Sequence, residues 1–225
     1  MTGLNRTGPD VCIHSDYGNP FKVDAVREIP IDNVLKKITD PYLLFQIERV
    51  SSFHGYLSTG AFIGIRMLNI AKRVLDADPG EQLYVTCETY NCLPDPFQIL
   101  AGCTIGNKKL KIKDHGKMAV VVNKKAEIGQ KIIRSVRIML DPVKTAQYPR
   151  LHEWYMKTGK VPHEEAISIL IDAKESVYTY HIMDIELQEK PEKHIALCIN
   201  CGESFVKKND GAKDETLCLS CMESS

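Results

Sequence analysis

Eight cysteines stand in this chain of 225 residues, and four of them have the spacing of ligands to a single metal ion. These four are Cys198, Cys201, Cys218 and Cys221. Two cysteines three apart on a tight turn can both point at one ion, and a second such pair completes a tetrahedron of thiolates at about 2.3 Å from zinc. Because four thiolates leave no open coordination position, the spacing predicts a structural Zn2+ site.

The segment around these cysteines predicts a small treble-clef zinc finger over residues 195–225. Gly202 fits a knuckle turn after the first pair, and a short helix begins at the second pair. We expect Glu203–Lys208 and Glu215–Cys218 to pair as a hairpin. One alternative is a pair of disulfides, but these need an oxidising compartment, and no signal peptide is visible at the N-terminus. The other is a redox-active CxxC, but two such pairs within 24 residues favour a shared metal. A segment this small buries little apolar surface, so metal binding should supply its folding free energy.

A second set of candidate ligands lies upstream, in His54, Cys92 and Cys103. One histidine and two cysteines can hold zinc or another transition metal and leave an open position, as catalytic sites do. Weaker ligands, or hydrogen bonds to the ligands, can come from Tyr56, Ser58 and Asp95. The alternative stays open, because free cysteines commonly pack as small apolar groups.

Other histidines and glycines give weaker signals. Cys12 and His14 form a minor metal candidate in a Gly- and Pro-rich N-terminal segment that we interpret as loop. His152 and His163 do not form an HExxH pattern, and we expect both on exposed helix faces. The glycines of residues 102–107 fit neither a dinucleotide fingerprint nor a phosphate-binding loop.

The elements that must position these residues indicate an α+β protein. Helical periodicity is found after Asp40-Pro41 and again from Gly60 to Ala77, where Ser58 or Thr59 sits at the N-cap position. Short β-rich segments follow, and their short links predict an antiparallel sheet packed with helices. A polar segment near residue 190 predicts the boundary between a core domain, residues 1–190, and the zinc finger, residues 195–225.

Charge and hydropathy restrict the function classes. Lys+Arg and Asp+Glu both number 29, and no apolar stretch approaches the roughly 20 residues that span a bilayer. We expect a cytoplasmic protein with reduced thiols and no membrane partner. Residues 105–137 hold ten Lys and Arg against two acidic residues, which predicts a solvated basic sheet face or an anion-binding surface. From Lys190 onward the sequence contains five Lys and six acidic residues. This balance of charge disfavours nucleic acid as a partner of the zinc finger.

Three segments together resemble the family named for the E subunit of formylmethanofuran dehydrogenase. Phe53–Gly60 (FHGYLSTG) is similar to the family's F-H-G-H-x-C-P-G. Cys92–Gln98 (CLPDPFQ) and Gly102–Asn107 (GCTIGN) are similar to C-x-x-D-A-x-Q and T-G-C-T-x-G. Asp114–Ala119 (DHGKMA) is similar to D-Y-G-K-x-A. The resemblance covers about residues 42–140, and the C-terminal zinc finger resembles a module that only some members carry.

The resemblance implies an α+β core, a tightly associated homodimer and a core metal at His54, Cys92 and Cys103. This chain departs from the motif, since Tyr56, Ser58 and Thr59 replace its histidine, cysteine and proline. The molybdenum or tungsten chemistry of that complex belongs to its other subunits. The leading hypothesis is therefore a zinc-containing accessory or regulatory protein acting through protein contacts. The alternatives are a metal-dependent enzyme using the core set, and a nucleic-acid-linked regulator using the zinc finger.

Overall fold

In the computed structural model, residues 32–187, 193–208 and 216–224 are described. The helices are α1 Asp32–Leu35, α2 Pro41–His54, α3 Thr59–Val74, α4 Asp95–Ala101, α5 Pro142–Thr145, α6 Pro149–Met156, α7 His163–Ala173 and α8 Leu219–Glu223. The strands are β1 Leu83–Cys87, β2 Leu110–Ile112, β3 Ala119–Lys124, β4 Ile132–Leu140, β5 Tyr178–Glu186, β6 Lys193–Leu197 and β7 Ser204–Lys208. The predicted α+β class is confirmed. No helix among the described residues is long and apolar enough to cross a bilayer.

Side-chain caps fix where the two long helices begin. An Asp40 carboxylate oxygen accepts a hydrogen bond from the Tyr42 N–H at 2.9 Å, which starts α2. The helix ends at Gly55, whose φ of 94° lies in the left-handed region that glycine tolerates. Ser58 Oγ then accepts from the Ala61 N–H at 3.2 Å and starts α3. Both predicted helix starts are confirmed.

Helix α3 forms the centre of the apolar core. Phe62, Ile63 and Met67 on this helix are fully buried, and every residue of its first two turns, Thr59–Ile65, is buried. A helical segment that is buried on all sides must be covered on all sides, whereas Arg66, Asn69 and Arg73 interrupt the apolar surface further along. The core cluster that surrounds it draws its buried residues from Ile38 to Tyr178.

Two glycines let the chain before α4 pack directly on α3. A Cβ atom at Gly64 would lie 2.8 Å from the Leu93 carbonyl oxygen and 2.9 Å from Pro96 Cγ. A Cβ atom at Gly60 would lie 3.2 Å from Cys92 Cβ. The close approach predicted from these small residues is therefore present, and it brings Cys92 to the start of α3.

The main sheet has the strand order β2-β1-β3-β4-β5. β3 pairs antiparallel with β4, as their short link predicts, and it also pairs antiparallel with β1. β1 and β2 differ from the prediction, because they pair in parallel with Val85 opposite Leu110. The chain passes through α4 between these two strands, and such a crossover returns it in the same direction.

Contacts divide the chain into two compact units, the core unit and the tail unit. The core unit comprises residues up to Lys125 together with Ser135–Ile182, and the tail unit comprises Ala126–Arg134 together with Met183–Ser225. In the tail unit β7 pairs antiparallel with β6. The predicted partner of β7 was 215–218, of which residues 216–218 form no strand and Glu215 lies outside the described residues. β6 uses residues 193 and 194, which the sequence assigned to a linker.

Candidate functional site

The four C-terminal cysteines converge as the spacing predicts. The Sγ atoms of Cys198, Cys201, Cys218 and Cys221 all lie within 4.8 Å of one another. A tetrahedral zinc–thiolate site, with bonds of about 2.3 Å, separates its sulfur atoms by about 3.8 Å. The Cys201–Cys218 sulfur distance is 3.9 Å, so the arrangement fits a metal with four thiolate ligands.

Short backbone hydrogen bonds hold the two cysteine pairs in place. Cys198 follows β6, and its carbonyl accepts from the Gly202 N–H at 2.9 Å, while Gly202 takes a φ of 75°. The Ile199 N–H donates to the Thr216 carbonyl at 3.0 Å, which ties the two cysteine-bearing segments together. Cys218 occupies the N-cap position of α8, and Cys221 lies within that helix.

The thiols of this cluster have opposed pKa shifts. Backbone N–H groups of Cys201 and Cys218 stabilise the Cys198 thiolate and lower its pKa to about 6. The N–H of Glu203 favours a thiolate at Cys201 as well, but the neighbouring sulfur atoms outweigh it and raise the pKa of Cys201 to about 12. Like charges this close cannot all form without a cation. A divalent metal supplies that charge, so the donor set fits zinc.

In the core unit, His54 is paired with a carboxylate. His54 Nδ1 lies 2.5 Å from Asp95 Oδ2, and both side chains are largely buried. Gln98 Nε2 donates to the other Asp95 oxygen at 3.2 Å. The pair joins the end of α2 to the start of α4 and leaves His54 Nε2 free of this contact. Metal-binding histidines commonly hold their second nitrogen in this way.

The two core cysteines lie in different surroundings. Cys103 is fully buried, and its thiol donates to the Leu83 carbonyl at 3.2 Å. Burial raises the pKa of the Cys103 thiol to about 11. Cys92 instead lines a cleft beside Gly60. Within the described residues, the four C-terminal cysteines are the one group found that could hold a metal ion, and the core site of His54, Cys92 and Cys103 stays a prediction. Cys12 and His14 lie outside the described residues.

The cleft beside Cys92 is a cavity of about 790 Å³. Its walls come from the start of α3, the segments after β1 and before β3, and the chain from the end of α6 to the start of α7. Residues missed by the sequence reasoning contribute to it: Trp154, Lys157, Lys160 and His163. They come from a segment with no recognisable motif, about 60 residues after Cys92.

His163 corrects the expectation of an exposed histidine. The side chain is half-buried, and Nδ1 lies 3.2 Å from the Thr59 N–H and 2.8 Å from Thr59 Oγ1. The Tyr56 ring stands between two imidazoles, with centroids 5.0 Å from His54 and 5.8 Å from His163. His152 is also half-buried, and its Nδ1 lies 3.0 Å from Thr145 Oγ1.

Comparisons with known proteins agree with this architecture. A crystal structure of an FmdE-like protein from Syntrophus aciditrophicus, related to the E subunit of a tungsten formylmethanofuran dehydrogenase, superposes with a TM-score of 0.66 and 29% identity, covering 81% of this chain and 93% of that one. A probable S-adenosyl-L-methionine-binding protein from Archaeoglobus fulgidus is 25% identical over 212 residues, which are 78% of this chain and 52% of that protein. This chain thus spans about half the length of that relative.

The family described as "FmdE, Molybdenum formylmethanofuran dehydrogenase operon" matches residues 53–187. This range extends further toward the C-terminus than the motifs of residues 42–140 suggested, and it includes α6, α7 and β5. The match covers more than half of the sequence, and the chain therefore belongs to the FmdE family.

Proposed function

We propose that this chain is a zinc-holding accessory or regulatory protein of the FmdE family that acts through protein contacts, first of all as a homodimer. The observation that carries the proposal is an exposed apolar face on the β6–β7 hairpin. Ile195, Leu197 and Val206 form this hairpin face, and they are 74%, 68% and 53% exposed.

The strand register explains the hairpin face. Ile195 and Leu197 point to the same side of β6, since side chains alternate along a strand. Val206 is the direct cross-strand partner of Ile195, so the three side chains share one side. A two-stranded hairpin is at best marginally stable in water, and an apolar face of this kind is typical of an interaction surface.

Charge favours a second copy of the chain as the occupant. The C-terminal segment that begins at Lys190 carries no strong field, because its five Lys are balanced by six acidic residues. Two identical near-neutral faces can meet around a twofold axis without repulsion. The same balance disfavours nucleic acid, whose phosphates require a basic surface.

Replacing Ile195 and Val206 with lysine tests the dimer. The double variant places charges on the hairpin face and should convert a dimer into a monomer, measured by sedimentation velocity. Ile105→Lys is the matched control, because Ile105 is 64% exposed in the core unit. A monomeric wild type, or a double variant that stays dimeric, would contradict the proposal.

We propose zinc as the metal of the four-cysteine site. Four thiolates form a closed tetrahedral set, so the ion would brace the tail unit and would take no part in a reaction. Elemental analysis should find one zinc per chain at this site, and Cys218→Ser with Cys221→Ser should abolish it. Retention of zinc by this double variant would place the metal elsewhere.

A metal-dependent enzyme using His54, Cys92 and Cys103 is the second candidate function. The contact between His54 Nδ1 and Asp95 favours it, since it orients Nε2 as a ligand. A core metal would polarise a carbonyl or activate water. The test is the metal content: a second equivalent should be present and should be lost in His54→Ala with Cys103→Ala. One zinc per chain, unchanged in that variant, would exclude this candidate.

A further inference from the structure

We propose that the cleft beside Cys92 binds a small molecule with a flat, apolar body and one anionic group. The inference is independent of the dimer and of the four-cysteine site, because every residue that lines the cleft belongs to the core unit and none belongs to the four-cysteine site. Cys92 lines the cleft and also belongs to the candidate core metal set, but the proposed ligand requires no metal there.

The size and the walls of the cleft suit a small organic ligand. Its volume of about 790 Å³ lies in the range of roughly 300–1,000 Å³ that is typical of ligand pockets. Met118, Trp154, Tyr155 and Val161 supply the apolar part of the wall. The Tyr155 hydroxyl already donates to the Leu140 carbonyl at 3.1 Å, so this residue offers its ring and not its polar end. Aromatic rings favour a flat, apolar partner.

The charge of the lining residues is of one sign. Lys157 and Lys160 line the cleft, and none of its lining residues is acidic. Within the described part of the chain, neither lysine ammonium has a carboxylate within ion-pair distance. Two cations without counter-charges beside an apolar wall attract an anionic group.

His163 adds a directed hydrogen-bond donor. A backbone N–H can only donate, so the Thr59 N–H makes His163 Nδ1 an acceptor. In the neutral ring the proton must then sit on Nε2. Thr59 occupies Nδ1. His163 lines the cleft, so the Nε2–H is the hydrogen-bond donor that its ring can offer to a ligand there. An N–H donor near two lysines suits a carboxylate, phosphate or sulfonate oxygen.

The segment carrying the lysines is held in position before any ligand arrives. Lys157 takes a left-handed φ of 54° at the end of α6, and its N–H donates to helix carbonyls. Arg150 on α6 donates two hydrogen bonds to the Glu165 carboxylate on α7, at 2.7 and 2.9 Å. A Cβ atom at Gly159 would lie 2.9 Å from a Glu153 oxygen, so the loop follows α6 closely. Such preorganisation lowers the entropic cost of binding.

Two matched dyes test the proposal on the full chain. 8-Anilinonaphthalene-1-sulfonate carries an aromatic body and a sulfonate, and N-phenyl-1-naphthylamine has the same body without the charge. Trp154 lines the cleft and is the sole tryptophan of the chain, so quenching of its emission reports an occupied cleft. The Ile195→Lys, Val206→Lys protein is the background, because it removes dye binding to the hairpin face.

The sulfonate dye should quench Trp154 saturably and bind more tightly than the neutral dye. Lys157→Gln with Lys160→Gln should weaken the sulfonate dye about fivefold, as expected for two exposed charges, and leave the neutral dye unchanged. Lys111→Gln with Lys113→Gln, in strand β2 and directly after it, removes the same net charge and should change neither affinity. Absence of quenching, equal affinity for the two dyes, or equal effects of the two double variants would overturn the proposal.

Discussion

Ser58, Thr59 and Tyr56 stand where the family motif has a cysteine, a proline and a histidine, and each is engaged in a contact of its own. Ser58 Oγ caps α3 through the Ala61 N–H. Thr59 binds His163, and the Tyr56 ring separates His163 from His54. At two of these positions a residue type that can bind a metal has therefore been replaced by one engaged in a hydrogen bond or in ring packing. This exchange favours organic ligands over a metal in the neighbourhood of the cleft.

Gly64→Ala should destabilise the protein. Its new Cβ would lie 2.8 Å from the Leu93 carbonyl oxygen, which belongs to the backbone and cannot rotate away. Overpacking of this kind costs about 1–3 kcal/mol, and the midpoint of thermal unfolding should fall accordingly. Gly106→Ala is the matched control, since the nearest atom to its Cβ lies 4.0 Å away. Equal melting temperatures for Gly64→Ala and wild type would show that α4 can shift freely.

Glu88→Gln should remove a pH-dependent contribution to stability. The Glu88 side chain is 8% exposed, and Arg137 donates to its two carboxylate oxygens at 2.6 and 2.8 Å. These hydrogen bonds hold the pKa of the Glu88 carboxyl below its ordinary value. The stabilisation is therefore fully present above the ordinary pKa of about 4.3, and it is lost as the pH falls through the lower, folded-state pKa.

Urea unfolding of wild type and Glu88→Gln at several pH values measures this contribution. At pH 7 the variant should be less stable by about 1–3 kcal/mol, as for hydrogen bonds to charged groups. The difference should shrink below about pH 4 because the wild-type carboxyl then takes up its proton. Glu81→Gln, which removes the more exposed ion pair with Lys124, should have a smaller effect. A difference that persists unchanged at about pH 3 would contradict the assignment.

At the scale of elements, the sequence pattern predicted those features that depend on contacts between residues close together in the chain. The Asp40 and Ser58 caps each act within three residues, so the sequence pattern located the starts of α2 and α3. The pairing partner of a strand depends on residues far away in the sequence. The predictions for the partners of β2 and β7 were wrong for this reason. β2 joins β1 in parallel after a crossover, and β7 pairs with β6, whereas residues 216–218 form no strand.

The cleft escaped sequence reasoning for the same reason. His163 reaches Thr59 across 104 positions of the chain, and no pattern within α7 marks it as a partner of α3. The four-cysteine site could be predicted, because two tight turns fix each ligand pair locally and the metal requires both pairs. For His54 the sequence suggested Asp95 as a neighbour, and the structure contains that contact.

Ser58→Ala tests the contribution of the α3 cap. Ser58 is fully buried, so its loss leaves the Ala61 N–H without its hydrogen-bond acceptor and should cost about 1 kcal/mol in the free energy of unfolding. Ser52→Ala in α2 is the matched control. Ser52 is exposed, and its hydroxyl donates to the Glu48 carbonyl within the helix, a contact that adds little stability. Equal unfolding free energies for the two variants would contradict a capping role for Ser58.

For the whole molecule, the distribution of apolar residues indicates that the two units are stabilised in different ways. The buried core cluster draws its members from Ile38 to Tyr178 and includes none from β6, β7 or α8. The β6–β7 hairpin instead carries exposed apolar side chains, and the side chains that come together in the tail unit are the four cysteines. Ordering a short hairpin and a five-residue helix costs conformational entropy that this unit has little apolar burial to offset.

Chelation should therefore unfold the tail without unfolding the core. After treatment with EDTA, amide hydrogen exchange should accelerate in Lys193–Leu197 and Ser204–Lys208, because metal binding supplies their folding free energy. Amides of α3 should keep their protection, since their burial depends on the core cluster. Added Zn2+ should restore protection of the hairpin, and added Mg2+, which prefers oxygen ligands, should not. A hairpin that stays protected after elemental analysis has verified loss of metal would show that apolar contacts alone support the tail.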